Sequence, residues 1–578
     1  KFSKRSNSSG SSSLGIVLFA NEKWGSISAI DMDKRIAFLC CAICFSSILA
    51  SAQWVENTLI NTPVCTEFGK QNDVRLLGDD HHGAFLAWKD ARYGNNNPDI
   101  YVQHLDSLGI PQWGNNGMVI CDDTTDQSTP NLCTDGEGGF ILTWSDLRSG
   151  LERDVYAQRI NSEGQVLWQS NGVPVADKPI REHNEKITSD DNGGAYIVWE
   201  QLDETTQLWN IALQHINSQG IRLWSLDGLV VSEFTANRLN PKLQKDKQGG
   251  VYIVWQEMHN GLDYDIYAQR INANGEKLWG NSGLPIAESM NSQINPKMDP
   301  DTLSGGVYIA WADKRNQLDY DIYAQRVDSL GNALWTENGL NVCSDIGNQS
   351  AVDIISTTQT NGLILTWRDG RSGNNDIYVQ KLTPLGLAEW DNQGMLISTS
   401  PYNQINPNIC SDGANGCIIT WQDSTFNDWD VKSQKINGDG QIQWLENGLT
   451  VSDAIEIQGH PKNIPDGYGG SIYAWQDKRA NQNDIYAHHV NADGTSGANG
   501  IESRNTKSTY VIYPNPSSSG FQISGGNYQQ VTIYSAVGQR LFSGNQLTGF
   551  DEKAISAGAY IVVIKSNSGV EQQVWIKQ

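Results

Sequence analysis

A tryptophan that ends a short apolar run recurs eight times in this sequence, at intervals of 54 to 56 residues. A second tryptophan follows each of the first seven by 23 to 25 residues. Repetition at such a period indicates one supersecondary unit that buries its apolar face only against its neighbours. The eight tryptophans of the repeat are Trp88, Trp144, Trp199, Trp255, Trp311, Trp367, Trp421 and Trp475.

Each unit contains four runs of strand length, which in the fourth copy are PKLQ, VYIVWQE, DIYAQRI and a stretch from KLW to LPIA. An Asp-x-x-Gly-Gly turn separates the first two runs and an Asn-x-x-Gly turn separates the last two, as expected for tight hairpins. About 55 residues in four antiparallel strands are typical of a propeller blade. The sequence therefore predicts an all-β fold with an eight-bladed β-propeller over residues 53–497. An open solenoid of the same repeats is the alternative.

The eighth unit lacks the Leu-Trp of its last strand, and the segment QWVENTLINTPVC near the N-terminus resembles the missing piece. Trp54 stands in that segment at nearly the spacing from Trp88 that separates the same positions in other units. We therefore expect an N-terminal strand to complete the last blade, which closes the ring and removes two exposed sheet edges.

The composition excludes two classes of protein. The net charge of −24 opposes a nucleic-acid binder, which needs basic side chains to neutralise phosphates. The 20 Trp, 20 Tyr and 12 Phe oppose a disordered chain, because so much aromatic surface must be buried.

A short apolar stretch near the N-terminus has the organisation of an export signal. Residues 32–52 contain a charged start, an apolar run and a small-residue cleavage site that would separate Ala52 from Gln53. The sequence thus predicts a signal peptide at 32–52, a non-native upstream leader at 1–31, and no transmembrane segment in the mature chain. A buried apolar segment is the alternative interpretation of residues 32–52.

Six cysteines lie outside the signal segment, and an oxidising compartment permits them to form disulfides. Cys410 and Cys417 flank a tight turn and are the best candidate pair. The alternative is that each cysteine is a small buried hydrophobic residue within a strand.

An Asp-x-Arg motif follows the repeat tryptophan in five units, and a further Asp precedes the third strand run in most units. Repeated carboxylates near one face would suit calcium, a hard cation that takes several oxygen ligands. The structural alternative, which we prefer, is that each Asp holds its own loop and pairs with its Arg. Calcium is the one cofactor considered, and its candidate ligands are Asp90, Asp146, Asp313, Asp369 and Asp477.

Departures from the repeat are the places where a specific site is expected. The third unit differs around Glu200 and Trp209, and the eighth has His488 and His489 where its siblings have Gln-Arg. The Asp-x-x-Gly-Gly…Trp element is loosely similar to the Asp-boxes of sialidases, which are propeller enzymes. No catalytic residue of that family has a counterpart here, so we predict none and consider an enzyme the less favoured interpretation.

The last seventy residues form a region of their own after a Ser/Asn/Gly-rich linker at 498–509. Three ordered blocks mark it: YPNP, IYSAVGQ and GAYIVVI. Residues 510–578 resemble the type A C-terminal sorting domain of type IX secretion, a family of Bacteroidota. The resemblance implies a small Ig-like β-sandwich that the type IX translocon recognises. The motif residues are Tyr513, Pro514, Asn515, Pro516, Gly538, Gly558 and Tyr560.

The repeats of residues 53–505 also resemble uncharacterised Trp/DIYAQR-repeat propellers of secreted cargo proteins. Taken together, the sequence predicts a protein exported through the periplasm and either secreted or held at the outer cell surface. Its predicted function is a binding module for a glycan, a protein or a particulate ligand. The alternative function is a sialidase-like carbohydrate-active hydrolase.

Overall fold

The computed structural model describes residues 54–497 except 95–96, 151, 234–235, 260 and 426–427. In the C-terminal region it describes residues 511–513, 521–524, 528–535, 540–547, 550–551, 553, 555–556, 558–566 and 569–577. The chain divides into two compact units between Gly497 and Ala498. The predicted leader, the signal peptide with Ala52 and Gln53, and the linker lie outside the described residues.

The N-terminal unit contains eight antiparallel sheets of four strands each, numbered here 1 to 8. The edge strand of sheet 8 comes first in the chain and is β1 (Thr62–Cys65). Sheet 1 contains β2 (Gln71–Gly78), β3 (Ala84–Asp90), β4 (Asp99–Leu105) and β5 (Met118–Cys121), and sheet 2 contains β6 (Gln127–Thr134), β7 (Phe140–Asp146), β8 (Asp154–Ile160) and β9 (Val173–Ala176). Sheet 3 contains β10 (Glu182–Ser189), β11 (Ala195–Asp203), β12 (Leu208–Ile216) and β13 (Leu229–Val230). Sheet 4 contains β14 (Asn237–Lys245), β15 (Val251–Met258), β16 (Asp265–Ile271) and β17 (Leu284–Ala287).

Sheet 5 contains β18 (Gln293–Pro300), β19 (Gly306–Asp313), β20 (Asp321–Asp328) and β21 (Leu340–Cys343). Sheet 6 contains β22 (Gln349–Ser356), β23 (Leu363–Asp369), β24 (Asp376–Leu382) and β25 (Met395–Leu396). Sheet 7 contains β26 (Gln404–Ser411), β27 (Cys417–Ser424), β28 (Trp429–Ile436) and β29 (Leu449–Ser452). The remaining strands of sheet 8 are β30 (Gln458–Pro465), β31 (Ser471–Asp477) and β32 (Asp484–Val490).

The second strand of each sheet forms the core because its side chains are apolar on both faces. In β3 the run Ala84 to Trp88 is buried throughout, and all eight repeat tryptophans have no exposed surface. A glycine before the fourth strand makes room for seven of the eight indoles, and in sheet 8 Asn61 stands at that place. At Gly117, for example, φ is +81° and an added Cβ would lie 2.3 Å from the Trp88 ring, so that only glycine fits.

The second tryptophan of the repeat connects one sheet to the next. The indole nitrogen of Trp168 in sheet 2 donates to the carbonyl of Ser218 in sheet 3 at 2.9 Å. Trp54, which precedes β1, makes the same bond from the N-terminal segment to Ser107 of sheet 1 at 2.9 Å. Since β1 pairs antiparallel with β32, the first strand of the chain supplies the fourth strand of sheet 8.

The first strands of consecutive sheets contact one another in chain order, from β2 and β6 to β26 and β30, and β30 contacts β2. The eight first strands therefore surround a common axis. Each of them contains a β-bulge, at which the register against the second strand shifts by one residue.

The C-terminal unit is also built from strands. It contains a two-stranded sheet of β33 (Val511–Tyr513) and β34 (Gln522–Ser524). A four-stranded sheet contains β35 (Gln530–Ser535), β36 (Arg540–Gly544), β37 (Gly558–Ser566) and β38 (Gly569–Lys577) in the order β36-β35-β37-β38. Buried side chains that include Val531, Val562 and Trp575 form its core.

Candidate functional site

The bulge in each first strand sets the direction of the side chains that face the axis. One residue of every bulge has a φ between +53° and +57°, which is the left-handed region. Four of these residues are asparagines, which tolerate this conformation better than most side chains. The residue two places further along then faces the axis. These axial residues, which we call the ring residues, are Arg75, Asn131, Lys186, Lys242, Lys297, Asp353, Asn408 and Lys462.

Five of the eight ring residues are cationic and only one is a carboxylate, in a protein with a net charge of −24. A cavity of about 280 Å³ is lined by Lys186, Lys242, Lys297 and Asp353, among others. A second cavity of about 500 Å³ is lined by residues that include Arg75 and Lys462. The axis is therefore a positively charged channel, although the protein as a whole has a net charge of −24.

Few protein anions compensate these cations. Lys297 Nζ lies 2.8 Å from Oδ1 of Asp353, whose other oxygen accepts a hydrogen bond from Asn408. Lys242 Nζ has only main-chain carbonyls at 3.3 and 3.4 Å as hydrogen-bond partners. Lys186 Nζ likewise bonds to neutral oxygens, which belong to Asn184 and the main chain. The ring is thus held by hydrogen bonds and keeps an excess of positive charge.

The ionisation of the ring lysines reflects this excess. Burial and, next, the charge of neighbouring lysines lower the pKa of Lys242 to about 7. Burial lowers the pKa of Lys186 to about 8 and, with the charge of Arg75, that of Lys462 to about 8. Because uncompensated positive charge disfavours the ammonium form, an anion in the channel would raise these pKa values.

The five aspartates proposed as calcium ligands lie in five different sheets, and the carboxylate of each accepts hydrogen bonds from residues of its own loop. Asp369 is buried and accepts bonds from the Trp367 indole at 2.8 Å and from Arg371 at 2.9 and 2.6 Å. Asp90, Asp146, Asp313 and Asp477 have equivalent partners. Among the described residues, no three or more His, Cys, Asp or Glu side chains form a group that could hold a metal. These contacts are those of the structural alternative.

Asp466 contacts two histidines, His489 of the eighth unit and His82 of the turn between β2 and β3, whereas His488 bonds to Ser496. His489 Nε2 is 2.9 Å from Oδ2 of Asp466, while His82 Nδ1 is 2.8 Å from its main-chain oxygen. Oδ1 of Asp466 accepts the main-chain N–H groups of its Asp-x-x-Gly-Gly turn. The turn aspartate is thus a structural element of sheet 8.

The candidate disulfide between Cys410 and Cys417 is wrong. All six described cysteines are free and buried. Cys410 pairs with Ile418 across the hairpin, and Cys417 pairs with Ser411. Adjacent residues of a strand point to opposite faces, so the two sulfur atoms lie on opposite sides of the sheet. The alternative of small buried residues within strands describes them correctly.

The sorting-motif residues are described only in part. Tyr513 ends β33 and Gly558 begins β37. Tyr560 is buried and donates from its hydroxyl to the carbonyl of Ser556 at 2.6 Å. The remaining motif residues, Pro514, Asn515, Pro516 and Gly538, lie outside the described residues.

Residues 511–578 match the family model described as a secretion system C-terminal sorting domain. The C-terminal region is a type IX sorting domain. This domain indicates export, either to the cell surface or into the medium. Within the part of the chain that the structure describes, no helix is long and apolar enough to cross a membrane. None of the curated proteins matches the chain.

Solved structures similar to this chain include carbohydrate-active enzymes. An endo-arabinase from Bacteroides thetaiotaomicron is 15% identical, with a TM-score of 0.27 over 46% of this chain and 96% of its own. An α-L-arabinofuranosidase of Fusarium graminearum is 10% identical, with a TM-score of 0.32 over 57% and 98%. An ulvan lyase of a polysaccharide lyase family is 9% identical, with a TM-score of 0.38 over 77% and 97%.

The ring residues were missed from the sequence because their types differ from sheet to sheet. A signal was nevertheless present. The triplets Asn240-Pro241-Lys242, Asn295-Pro296-Lys297 and His460-Pro461-Lys462 recur in the first strand run. A residue suited to positive φ followed by proline marks a bulge, and the lysine comes next. An alignment of the units on this triplet would have shown the five cations together.

Proposed function

We propose that this protein is an exported eight-bladed propeller, closed by its N-terminal strand, that binds an anionic ligand in its central channel. The ligand class is an acidic glycan, one that bears carboxylate or sulfate groups. The observation that carries the proposal is the excess of cations among the ring residues. Lys297 is paired with Asp353, which leaves four of the five cations without a paired carboxylate. Buried cations without counter-charges are costly, so the channel is suited to an anion that supplies the missing charge.

The channel also suits a glycan in its size and rigidity. The larger of its two cavities, about 500 Å³, is within the range of ordinary ligand sites, and the walls are strands held by cross-sheet hydrogen bonds. Ammonium groups act as point charges with rotatable donors, whereas a bidentate fork would require arginine. Lysines therefore favour recognition of scattered charges along a chain.

The test compares dextran sulfate with unmodified dextran, which share one glucan backbone. The mature protein should bind only the sulfated form, and binding should weaken as salt is raised. It should also weaken between pH 6 and pH 9, because Lys242, Lys186 and Lys462 lose their protons over that interval.

Variants of the ring separate the channel from general surface charge. The double variant Lys186→Met and Lys242→Met should weaken dextran sulfate binding by at least about tenfold, the effect of about 1.4 kcal/mol. Lys245→Met, which removes an exposed cation paired with Asp191, should leave binding unchanged. Equal binding by the double variant and the wild type would refute the channel as the site.

A hydrolase is the second candidate, because the pKa values of two carboxyls in the 280 Å³ cavity are shifted in opposite directions. Burial raises the pKa of Asp299 to about 6. Burial also acts to raise the pKa of Asp353, but the Lys297 ammonium outweighs it and lowers that pKa. An acid and a carboxylate of this kind are what glycoside hydrolysis uses. Turnover of fluorogenic glycosides that is lost in Asp299→Asn would establish the hydrolase.

A further inference from the structure

The first residue of the first strand has the same role in six sheets. It is a buried glutamine whose amide nitrogen donates to main-chain carbonyls two to four residues earlier. Gln458 Nε2, for example, lies 2.9, 3.4 and 2.7 Å from the carbonyl oxygens of Ala454, Ile455 and Glu456. The glutamines are Gln71, Gln127, Gln293, Gln349, Gln404 and Gln458. The position therefore places a donor against a group of carbonyl oxygens.

Sheet 3 has Glu182 at this position, and the segment that leads to it from the last strand of sheet 2 has the same length as the equivalent segments of sheets 1, 2, 5, 6 and 8. The equivalent carbonyls belong to residues 178–180. A carboxylate only accepts hydrogen bonds, so it cannot replace the amide N–H groups of glutamine. Glu182 has no exposed surface, and neither of its carboxylate oxygens has a hydrogen-bond partner within 3.5 Å. The indole N–H of Trp199 lies close enough to lower the pKa of Glu182, but it carries no charge to balance the carboxylate.

A second carboxylate lies beside it. The main-chain N–H of Glu182 donates to the carbonyl of Arg153 at 3.0 Å, which places Glu182 next to Asp154 at the start of β8. Asp154 is 1% exposed, and its Oδ1 also has no hydrogen-bond partner. Burial, and next the charge of Asp154, raise the pKa of Glu182 to about 8. Three buried carboxylate oxygens thus lack a positive partner.

The charge of Lys178 acts on Glu182 and lowers its pKa, but Lys178 forms its ion pair elsewhere. Lys178 Nζ, which belongs to the same connection, lies 3.3 Å from the carboxylate of Asp227. Asp177 is held by Arg222 at 2.8 Å on the protein surface. In sheet 4 the equivalent position in the register is the second residue of β14, Arg238, a cation that pairs with Glu257. Sheet 3 is the only one of the eight sheets with an acid there.

We propose that Glu182 and Asp154 bind one calcium ion between sheets 2 and 3, with main-chain carbonyls of residues 178–180 as further ligands. All the donors are oxygen atoms, which suit a hard cation, and two carboxylates balance a charge of +2. Calcium accepts six to eight irregularly placed oxygens, whereas magnesium requires a near-ideal octahedron and keeps several waters. The ion would occupy the place of the glutamine N–H groups in the other sheets. This site is separate from the channel. Asp154 pairs with Asp146 of the Asp-x-Arg loop in sheet 2, but the carboxylate of Asp146 is already bound by Trp144 and Arg148.

The test measures the melting temperature of the full mature protein at pH 8.5, after treatment with a chelator, with and without 2 mM calcium. The wild type should gain about 3 °C or more with calcium and less with magnesium. Glu182→Gln restores the side chain of six sibling sheets, so it should fold and show no calcium response. Asp177→Asn, which alters a neighbouring surface acid, should keep the full response.

Three results would overturn the proposal. One is a wild type that does not respond to millimolar calcium. Another is a calcium response that persists in Glu182→Gln, since the ion would then bind elsewhere, for instance at the Asp-x-Arg loops. The third is a Glu182→Gln variant that is more stable than the wild type at pH 8.5 both with and without calcium. Glu182 would then be a protonated acid in the folded protein and not a calcium ligand. Isothermal titration of calcium into both proteins provides an independent reading of the stoichiometry.

Discussion

The Asp-x-Arg loop offers a direct test of whether the repeated aspartates hold the fold. Asp369 is fully buried and accepts two bonds from the Arg371 side chain and one from the Trp367 indole. Asp369→Asn keeps the shape of the side chain and removes its charge. The amide cannot accept both arginine bonds, so the guanidinium loses its buried counter-ion and keeps only the half-exposed Asp345.

The size of the effect follows from the remaining partners of Arg371. Removal of one member of a buried ion pair costs about 3 to 5 kcal/mol. The side chain of Arg371 is 15% exposed and keeps bonds to the carbonyl of Gln393 at 2.9 Å and to Asp345 at 3.1 Å. These contacts and partial hydration favour the lower end of the range, so we expect a loss of about 3 kcal/mol in the free energy of unfolding.

Equilibrium urea unfolding followed by tryptophan fluorescence measures this loss, because the eight repeat tryptophans are buried. Asp345→Asn is the matched control. Asp345 is a half-exposed partner of the same arginine, and its loss should cost less than about 1 kcal/mol. The Asp369→Asn loss should be the same with and without calcium. A loss below about 1 kcal/mol for Asp369→Asn would refute the structural role.

Three further predictions concern the remaining features of the N-terminal unit. Burial, and next the charge of Asp477, raise the pKa of Asp484 to about 6, against about 3.9 in the unfolded chain. Ionisation of Asp484 therefore destabilises the folded protein as the pH rises from about 4 to 6, by at most about 3 kcal/mol in the free energy of unfolding. Asp484→Asn removes this cost, so it should raise the melting temperature at pH 7.5 but not at pH 4. Trp54→Ala should cost about 3 to 5 kcal/mol in urea unfolding, as much as Trp168→Ala, because both indoles connect adjacent sheets; a cost below about 1 kcal/mol would show that Trp54 does not act in this way. A thiol reagent should modify none of the six described cysteines in the native protein and all six in urea, whereas modification of fewer in urea without reductant would indicate a disulfide.

The strands could be predicted from the sequence because their signals are local and repeated. An apolar run that ends in tryptophan, with glycine turns on both sides, specifies a buried strand whatever its neighbours are. The pairing of β1 with β32 was also accessible, because Trp54 carries the pattern that the eighth unit lacks. The Cys410 and Cys417 pair failed for a geometric reason. Spacing along a hairpin brings two residues near each other without placing them on the same face.

The ring residues and Glu182 could not be predicted by the same means. The triplet that ends in a ring lysine marks a bulge, but the role of the lysine depends on seven other strands that meet at the axis. Glu182 is informative only against the glutamines of six other units, and only once those glutamines are known to donate to carbonyls. Both features are properties of the assembled unit.

Repetition therefore separates scaffold from site in this protein. A side chain that occurs in nearly every unit, such as the repeat tryptophan, is explained by the contacts of its own sheet. A position that keeps its place while its residue type changes is different, because the scaffold tolerates several types there. The ring positions change type yet remain mostly cationic, and the Glu182 position changes from a donor to an acceptor. Since a change that only opposed the fold would cost stability, each of the two is best explained by a charge that comes from outside the chain: an anion at the axis and a cation between sheets 2 and 3.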